Sequence, residues 1–306
     1  MRTEGGAIIF AGAVGSGKST TLASLISRLP EERKVVTLED PVEYLIPRAI
    51  QNTVVRDFGA QAPDGFAVKL RALKRSAMND VLLGEIRDKE TGGAFMDLAG
   101  SGVNVYTTTH ALSAALIPER LASDFIGVSR DFLAVPGVLK LLVYQALLPR
   151  LCPDCALPAS VLWGRGQSPF DTRRKPREWR PWVETITQHF GGDPAVLRLR
   201  NPLGCSACRS GRDVALAGYR GRTVVAEYVE PAHSPGFLES IRNGSESAHW
   251  RPPGRDGFRT ALACAMLKAF NAEIDVRDIE LHFGSFDMSA GSGDLRSGPL
   301  PLRAFA

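Results

Sequence analysis

Gly12-Ala13-Val14-Gly15-Ser16-Gly17-Lys18-Ser19 has the form G-x4-G-K-[ST], and it decides how the 306 residues around it are read. Ala7 to Ala11, just before it, is a short apolar run suited to a buried strand, and Lys18 to Arg28, just after it, has helical spacing. Strand, loop and helix in that order make a phosphate-binding loop. The glycines let the backbone wrap an anion with its N–H groups turned inward, and the helix N-terminus adds a favourable dipole. The stretch Gly12 to Thr20 therefore implies ATP binding, with Lys18 reaching the β- and γ-phosphates and Ser19 holding Mg2+.

Working outward, Lys34 to Leu38 is a second apolar strand that runs into Glu39, Asp40, Pro41, Val42 and Glu43, and Pro41 stops it. Ligands of open α/β sheets collect at the carboxyl ends of strands, so these acids belong on the edge that carries the glycine-rich loop. A carboxylate there either orients an attacking water or is a solvated turn, and spacing alone fits both. Asp64 is suited to cap a helix from Gly65 to about Ser76 that carries Lys69, Arg71, Lys74 and Arg75. Asp80 to Asp88 gives a third strand ending at Glu85, the expected form of a second Mg2+ carboxylate. Lys89 to Ser101 follows as a helix and Val103 to His110 as a strand. This alternation predicts an α/β fold whose mostly parallel sheet is covered on both faces.

Beyond it, helical patterns run from Ser113 to about Phe125 and from Arg130 to about Leu148. Residues 151–219 are rich in Pro, Gly, Arg and Trp with little periodicity. A strand is expected over 223–228 and helices over 235–242 and 257–270. From Gly284 onward Gly, Ser and Pro alternate, the composition of a mobile tail. The chain is thus divided into a nucleotide-binding core (1–150), an insertion (151–222), a C-terminal strand and helical region (223–283) and a tail (284–306).

Four of the five cysteines fall into two C-x2-C pairs, Cys152/Cys155 and Cys205/Cys208. Four thiolates suit tetrahedral Zn2+ and leave no coordination position for a substrate, so the metal's role is structural. Cys264, in an apolar helical pattern, reads as core. The content is 44% hydrophobic and 23% charged with a net charge of +4, ordinary for a globular chain and not one that demands a nucleic-acid partner. The local basic run from Arg165 to Arg180 reads as a solvated surface loop. No apolar run approaches the ~18 residues of a membrane span, and the N-terminus lacks a signal-peptide pattern. A cytoplasmic chain, at most peripheral to a membrane, is expected.

In combination, Gly12 to Thr20, Thr37-Leu-Glu-Asp-Pro-Val-Glu-Tyr44, Leu83-Gly-Glu-Ile-Arg-Asp88, Thr108-Thr-His110 and the two cysteine pairs resemble the secretion ATPases of type II secretion, type IV pilus assembly and related conjugation systems. The resemblance covers about residues 5 to 283, in order. It implies a RecA-like P-loop core working as a hexameric ring at the inner membrane, where ATP hydrolysis moves a membrane platform protein. Carried over by position, Glu43 is the acid that polarises the attacking water, Glu85 the carboxylate near Mg2+, His110 the nucleotide-sensing histidine, and Glu39 and Asp40 supporting acids. Arg71 and Arg75 match the two arginines of an L-R-x-x-L-R helix and Arg87 the one in G-E-I-R-D. Arginines of this kind stabilise phosphoryl charge from a neighbouring subunit. The four-cysteine unit favours assembly-type over retraction-type members.

Three departures stand out. Ser101-Gly102-Val103 replaces T-G-H, Tyr144-Gln145-Ala146 replaces A-Q-R, and Thr107 to His110 reads T-T-T-H where S-T-L-H is usual, which suggests a divergent branch of thin-pilus or conjugative kind. The family also carries an N-terminal domain ahead of this core, and the expectation is a fragment rather than a subunit completed by another polypeptide. A nucleotide-binding module without turnover of its own is the rival reading. A DNA-translocating motor is disfavoured because no basic stripe with interleaved aromatics is visible.

Overall fold

The apolar run before the glycine-rich stretch is β1 (Gly6–Ala11), and the chain turns through residues 12–17 into α1 (Lys18–Ile26). The computed structural model describes residues 5–54, 65–163, 173–210, 213–234, 236–244 and 260–286. In order there follow β2 (Val35–Glu39), β3 (Ile50–Thr53), α2 (Gly65–Lys74), β4 (Asp80–Glu85), α3 (Lys89–Gly100), β5 (Asn104–Thr109), α4 (Ile117–Leu121), α5 (Arg130–Leu133) and β6 (Leu139–Leu151). The remainder comprises β7 (Leu157–Pro158), α6 (Pro176–Phe190), β8 (Arg198–Leu199), α7 (Ser206–Arg209), β9 (Tyr219–Val229), α8 (Phe237–Asn243), α9 (Ala261–Phe270) and α10 (Val276–Phe283).

Seven strands form one sheet in the order β3-β2-β4-β5-β1-β6-β9. From β3 to β6 every neighbouring pair is parallel. Parallel strands covered on both faces are buried along their length rather than alternately, as β1, β2 and β5 are, whereas β3 at the edge is not. On one side Leu22 and Ile26 of α1 pack with Phe10, Val35, Leu82, Tyr106 and Val143. α3, which packs on β1 and β5, buries Phe95 and Leu98. Asp80, fully buried at the amino end of β4, is neutralised by Arg33 at 2.5 and 2.7 Å and also accepts from Tyr106 Oη at 3.2 Å. That acid is a structural anchor on the edge opposite the glycine-rich loop.

The chain divides into two compact units, Met1–Ala146 with Ala226–Phe258, and Leu147–Val225 with Arg259–Ala306. The 223–283 stretch, read above as one region, is split between them: α8 belongs to the first, α9 and α10 to the second.

Several sequence expectations are corrected. The helix expected over 130–148 is one turn, α5, followed by the long strand β6. Pro136 and Gly137, the latter at φ +91°, break the helix, and the apolar run that follows is a strand in the middle of a sheet. The helix expected over 113–125 shrinks to α4. Within the stretch read as aperiodic and solvated, α6 buries Trp179, Trp182, Val183, Ile186 and Phe190, a helical spacing of apolar residues. The proposed cap Asp64 and the tail beyond residue 286 lie outside the described residues.

Candidate functional site

Four strand ends meet at one edge of the sheet. In the β1 register Ala11 lies beside Thr109 of β5 and Tyr144 of β6, so the next residues, Gly12, His110 and Gln145, come together. Gly12 adopts φ +147°, and a Cβ there would stand 2.2 Å from the Gln145 carbonyl oxygen and 2.7 Å from Ser16 Oγ. Only glycine fits. Gly15 at φ +76° and Gly17 at φ +86° supply the other left-handed turns of the loop. Gln145, buried on β6, donates from Nε2 to the Ser16 carbonyl at 2.7 Å and so fixes the loop from below.

Lys18 is buried at the first position of α1 and donates to the carbonyls of Gly12 at 2.9 Å and Ala13 at 3.0 Å. Burial pulls its pKa down, while the charges of Glu85 and then Glu43 oppose the shift. Glu85 stands at the carboxyl end of β4, and Glu43 lies in the loop that follows the carboxyl end of β2. Glu85 reaches this position through an irregularity: Leu83 pairs with Thr107 but Glu85 with Thr108, leaving Gly84 as an extra residue in β4. A bulge of this kind re-aims the side chain that follows it. The Gly84 carbonyl accepts from Thr108 Oγ1 at 2.9 Å, and a Cβ at this glycine would touch the Glu39 backbone at 3.4 Å.

His110 links the two halves of the site. Its Nδ1 is 3.0 Å from the Gly12 carbonyl oxygen and its Nε2 is 2.9 Å from Glu85 Oε1. Both neighbours are acceptors, so the doubly protonated ring satisfies both and a neutral ring only one.

The remaining predicted residues are distributed unevenly. Glu43 is exposed, and Ser19 is half-buried at the start of α1. Glu39 is buried and accepts from Gln51 Nε2 at 3.1 Å. Asp40 accepts from Arg87 Nη2 at 2.7 Å. Asp88 caps α3 by accepting from the Thr91 N–H at 2.9 Å. Arg71, on α2, and Arg75, just beyond it, are exposed. Sequence reasoning gave no role to Gln145, Gln51 or the Gly84 bulge, because each depends on a strand pairing that arises only in the folded sheet.

The four predicted metal ligands also converge. Cys152, Cys155, Cys205 and Cys208 bring their Sγ atoms within 4.8 Å of one another, with pairs at 3.8 Å (152 and 205), 3.9 Å (155 and 208) and 3.9 Å (205 and 208). The intervening segment is closed at its base by antiparallel pairing of β7 with β8. Cys208 Sγ accepts from the Cys205 N–H at 3.1 Å and the Gly218 N–H at 3.3 Å. These bonds hold its thiol down at about 7, whereas burial pushes Cys152 and Cys155 up. The donor set, spacing and N–H···S bonds fit Zn2+.

Against known proteins, the family model described as "Type II/IV secretion system protein" matches residues 1–279. The chain belongs to that family. It is 35% identical over 225 residues to the type II secretion system protein E of Pectobacterium carotovorum subsp. carotovorum, covering 73% of this chain and 38% of that one. The type IV pilus assembly ATPase TfpB of Acinetobacter baylyi is 30% identical over 232 residues, covering 74% of this chain and 34% of its own length. The chain thus spans well under half of these relatives. Among solved structures, the pilus retraction motor PilT with bound ADP superposes at a TM-score of 0.55 and 20% identity, over 93% of this chain and 62% of that one. The Legionella pneumophila ATPase DotB gives 0.53 and 19%, over 92% and 62%. At such identities the likeness is one of fold. No helix among the described residues is long and apolar enough to cross a membrane.

Proposed function

We propose that this secretion-family chain is the motor core of an ATPase that powers type IV pilus assembly, type II secretion or a related conjugative system. The observation that carries the reading is the convergence of the glycine-rich loop, Lys18 and Glu85 at the carboxyl edge of a parallel sheet, joined through His110, with the loop of Glu43 tied to α1 by Tyr44 and Thr20. Buried Ser16 Oγ has no hydrogen-bond partner, and the Gly12 cradle admits no side chain, both of which suit a loop shaped for phosphate.

In this mechanism the loop N–H groups and Lys18 neutralise the β- and γ-phosphates once the ammonium leaves the Gly12 and Ala13 carbonyls. Ser19 and Glu85 would hold Mg2+, which supplies charge neutralisation between the phosphates. Glu43 orients the attacking water, and little covalent chemistry is left for the protein to do. His110 couples Glu85 to the Gly12 carbonyl, so a change at either is felt by the other. One or more of Arg71, Arg75 and Arg87 act across a subunit boundary in a homo-hexameric ring, docked on a platform protein at the cytoplasmic face of the inner membrane. The cysteine cluster holds a structural zinc.

The test is Mg2+-dependent ATP hydrolysis by the 306-residue chain across a range of protein concentrations, with Lys18→Ala as control. Specific activity that rises with concentration and is lost in the control supports a self-assembling motor. ATP binding without turnover favours the second reading, a module that needs further sequence, for which the partial coverage of the relatives speaks. ATP affinity unchanged in Lys18→Ala would sink both.

A further inference from the structure

The loop that carries Glu43 is held by a side chain outside it. Gln51 lies on β3, the edge strand of the sheet, and uses both ends of its carboxamide on the acidic loop. Its Oε1 accepts from the Ile46 N–H at 2.9 Å. Its Nε2 donates to the Tyr44 carbonyl at 2.8 Å and to Glu39 Oε1 at 3.1 Å. One amide therefore ties the entry of the loop, at Glu39, to its exit, at Tyr44 and Ile46. A second tether joins Tyr44 Oη to Thr20 Oγ1 at 2.9 Å, on the first turn of α1. Ile46, at 4% exposure, anchors the far end in the core that α1 shares with the sheet.

Glu43 sits between these fixed points and is itself exposed. An exposed carboxylate on an untethered loop samples many positions, and misplacing a reacting group by about 1 Å costs on the order of a hundredfold in rate. We propose that Gln51 is the positioning residue for Glu43: its three hydrogen bonds set the path of residues 40–46 and so hold the carboxylate at the carboxyl edge of the sheet. This rests on the reading of Glu43 as the group that orients the attacking water. The competing account is that Gln51 only secures an edge strand. Its neighbour Asn52 performs that second task, donating from Nδ2 to the Thr37 and Ile50 carbonyls at 3.1 and 3.3 Å without touching the loop, and so supplies the control.

The experiment compares wild type, Gln51→Met, Asn52→Ala and Lys18→Ala in the full 306-residue chain. Gln51→Met keeps length and volume and removes all three bonds. Two readouts are taken: hydrogen exchange of a peptide spanning residues 42–48, and kcat together with the Kd for ATP. Gln51→Met should speed exchange in that peptide by about tenfold or more and lower kcat roughly 10- to 100-fold, with Kd within about threefold. Asn52→Ala should leave both readouts within about twofold. Unchanged exchange in Gln51→Met overturns the proposal, as does a Kd that rises in step with the loss of kcat, or an equal loss in Asn52→Ala. If wild type turns over no faster than Lys18→Ala, the hydrolysis reading has failed, and the exchange comparison alone decides whether Gln51 positions the loop.

Discussion

The cysteine cluster yields the prediction most tightly bound to geometry. Four sulfurs around a tetrahedral Zn2+ at about 2.3 Å stand about 3.8 Å apart along each edge of the tetrahedron. The Sγ separations of 3.8, 3.9 and 3.9 Å match that edge, whereas a disulfide needs about 2.05 Å, so the cluster has the dimensions of a metal site. One zinc per chain is expected by elemental analysis. Cys205→Ser should abolish it, because Cys205 lies within 3.9 Å of both Cys152 and Cys208 and no described donor can replace it. The loss should be smaller than the ~10 kcal/mol or more of zinc-finger peptides, since this unit has an apolar core of its own around Trp179, Val183, Ile186 and Leu199. A loss of at least ~3 kcal/mol, about 10 °C in the melting of this unit, is expected. Scanning calorimetry of wild type, chelator-treated protein and Cys205→Ser measures it. Metal-free protein that melts where the zinc-loaded protein does, with four freely alkylated thiols, would refute the argument.

Three further outcomes follow from the geometry. Gly12→Ala should abolish ATP binding and destabilise the chain by at least ~2 kcal/mol, because the new methyl meets the Gln145 carbonyl at 2.2 Å and the φ of +147° disfavours it; calorimetric titration and a denaturant melt check both. Glu43→Gln should bind ATP within about threefold of wild type and lose at least ~100-fold in kcat, and normal turnover would pass the role to Glu85. Asp278, whose carboxyl is pushed up to about 6 by burial and then by the charge of Asp275, should give a slope of stability with pH. The unfolded value is near 3.9, so between the two the folded chain holds a proton the unfolded one lacks, and this contribution falls as pH rises through about 6, by at most ~3 kcal/mol. Asp278→Asn, still able to accept from Tyr219 Oη, should flatten the difference between denaturation midpoints at about pH 4 and about pH 6.5, the window that spans the two values.

How legible the fold was in the sequence depended on where each strand sits in the sheet. β1, β2 and β5 stop just short of Gly12, Pro41 and His110 and β4 stops at Glu85, and each of these ends was readable, although the bulge at Gly84 was not. β6 was not, because a strand buried on both sides loses the period of two and presents an unbroken apolar run, which a buried helix presents equally well. Pro136 and Gly137 were the evidence against a helix through that region. β3 failed for the opposite reason. At an edge its Ile50 is exposed and Gln51 and Asn52 spend their side chains on neighbouring backbone, so the four residues carry almost no apolar signal. α6 carries a full helical spacing of Trp, Val, Ile and Phe, hidden by the Pro and Arg around it.

The site was legible where a residue's role follows from its own strand end, and not where it depends on a partner brought in by strand order. Lys18 and Glu85 are of the first kind. The bridge made by His110, the support from Gln145 and the clasp of Gln51 are of the second, since each joins strands adjacent only in the folded sheet. Asp40 and Arg87 make the difference concrete. The sequence gives them separate roles, a supporting acid and a candidate trans arginine, yet they pair with each other at 2.7 Å with side chains 37% and 43% exposed. An exposed pair is worth about 0–1 kcal/mol, so an incoming phosphoryl oxygen can draw Arg87 away from Asp40 at little cost. The Arg33–Asp80 pair, whose acid is fully buried, cannot be parted that way, because separation would leave an uncompensated charge in the core. Depth of burial, which no motif encodes, thus separates the arginine whose pair can be parted, as the proposed trans role requires, from the one that holds the sheet.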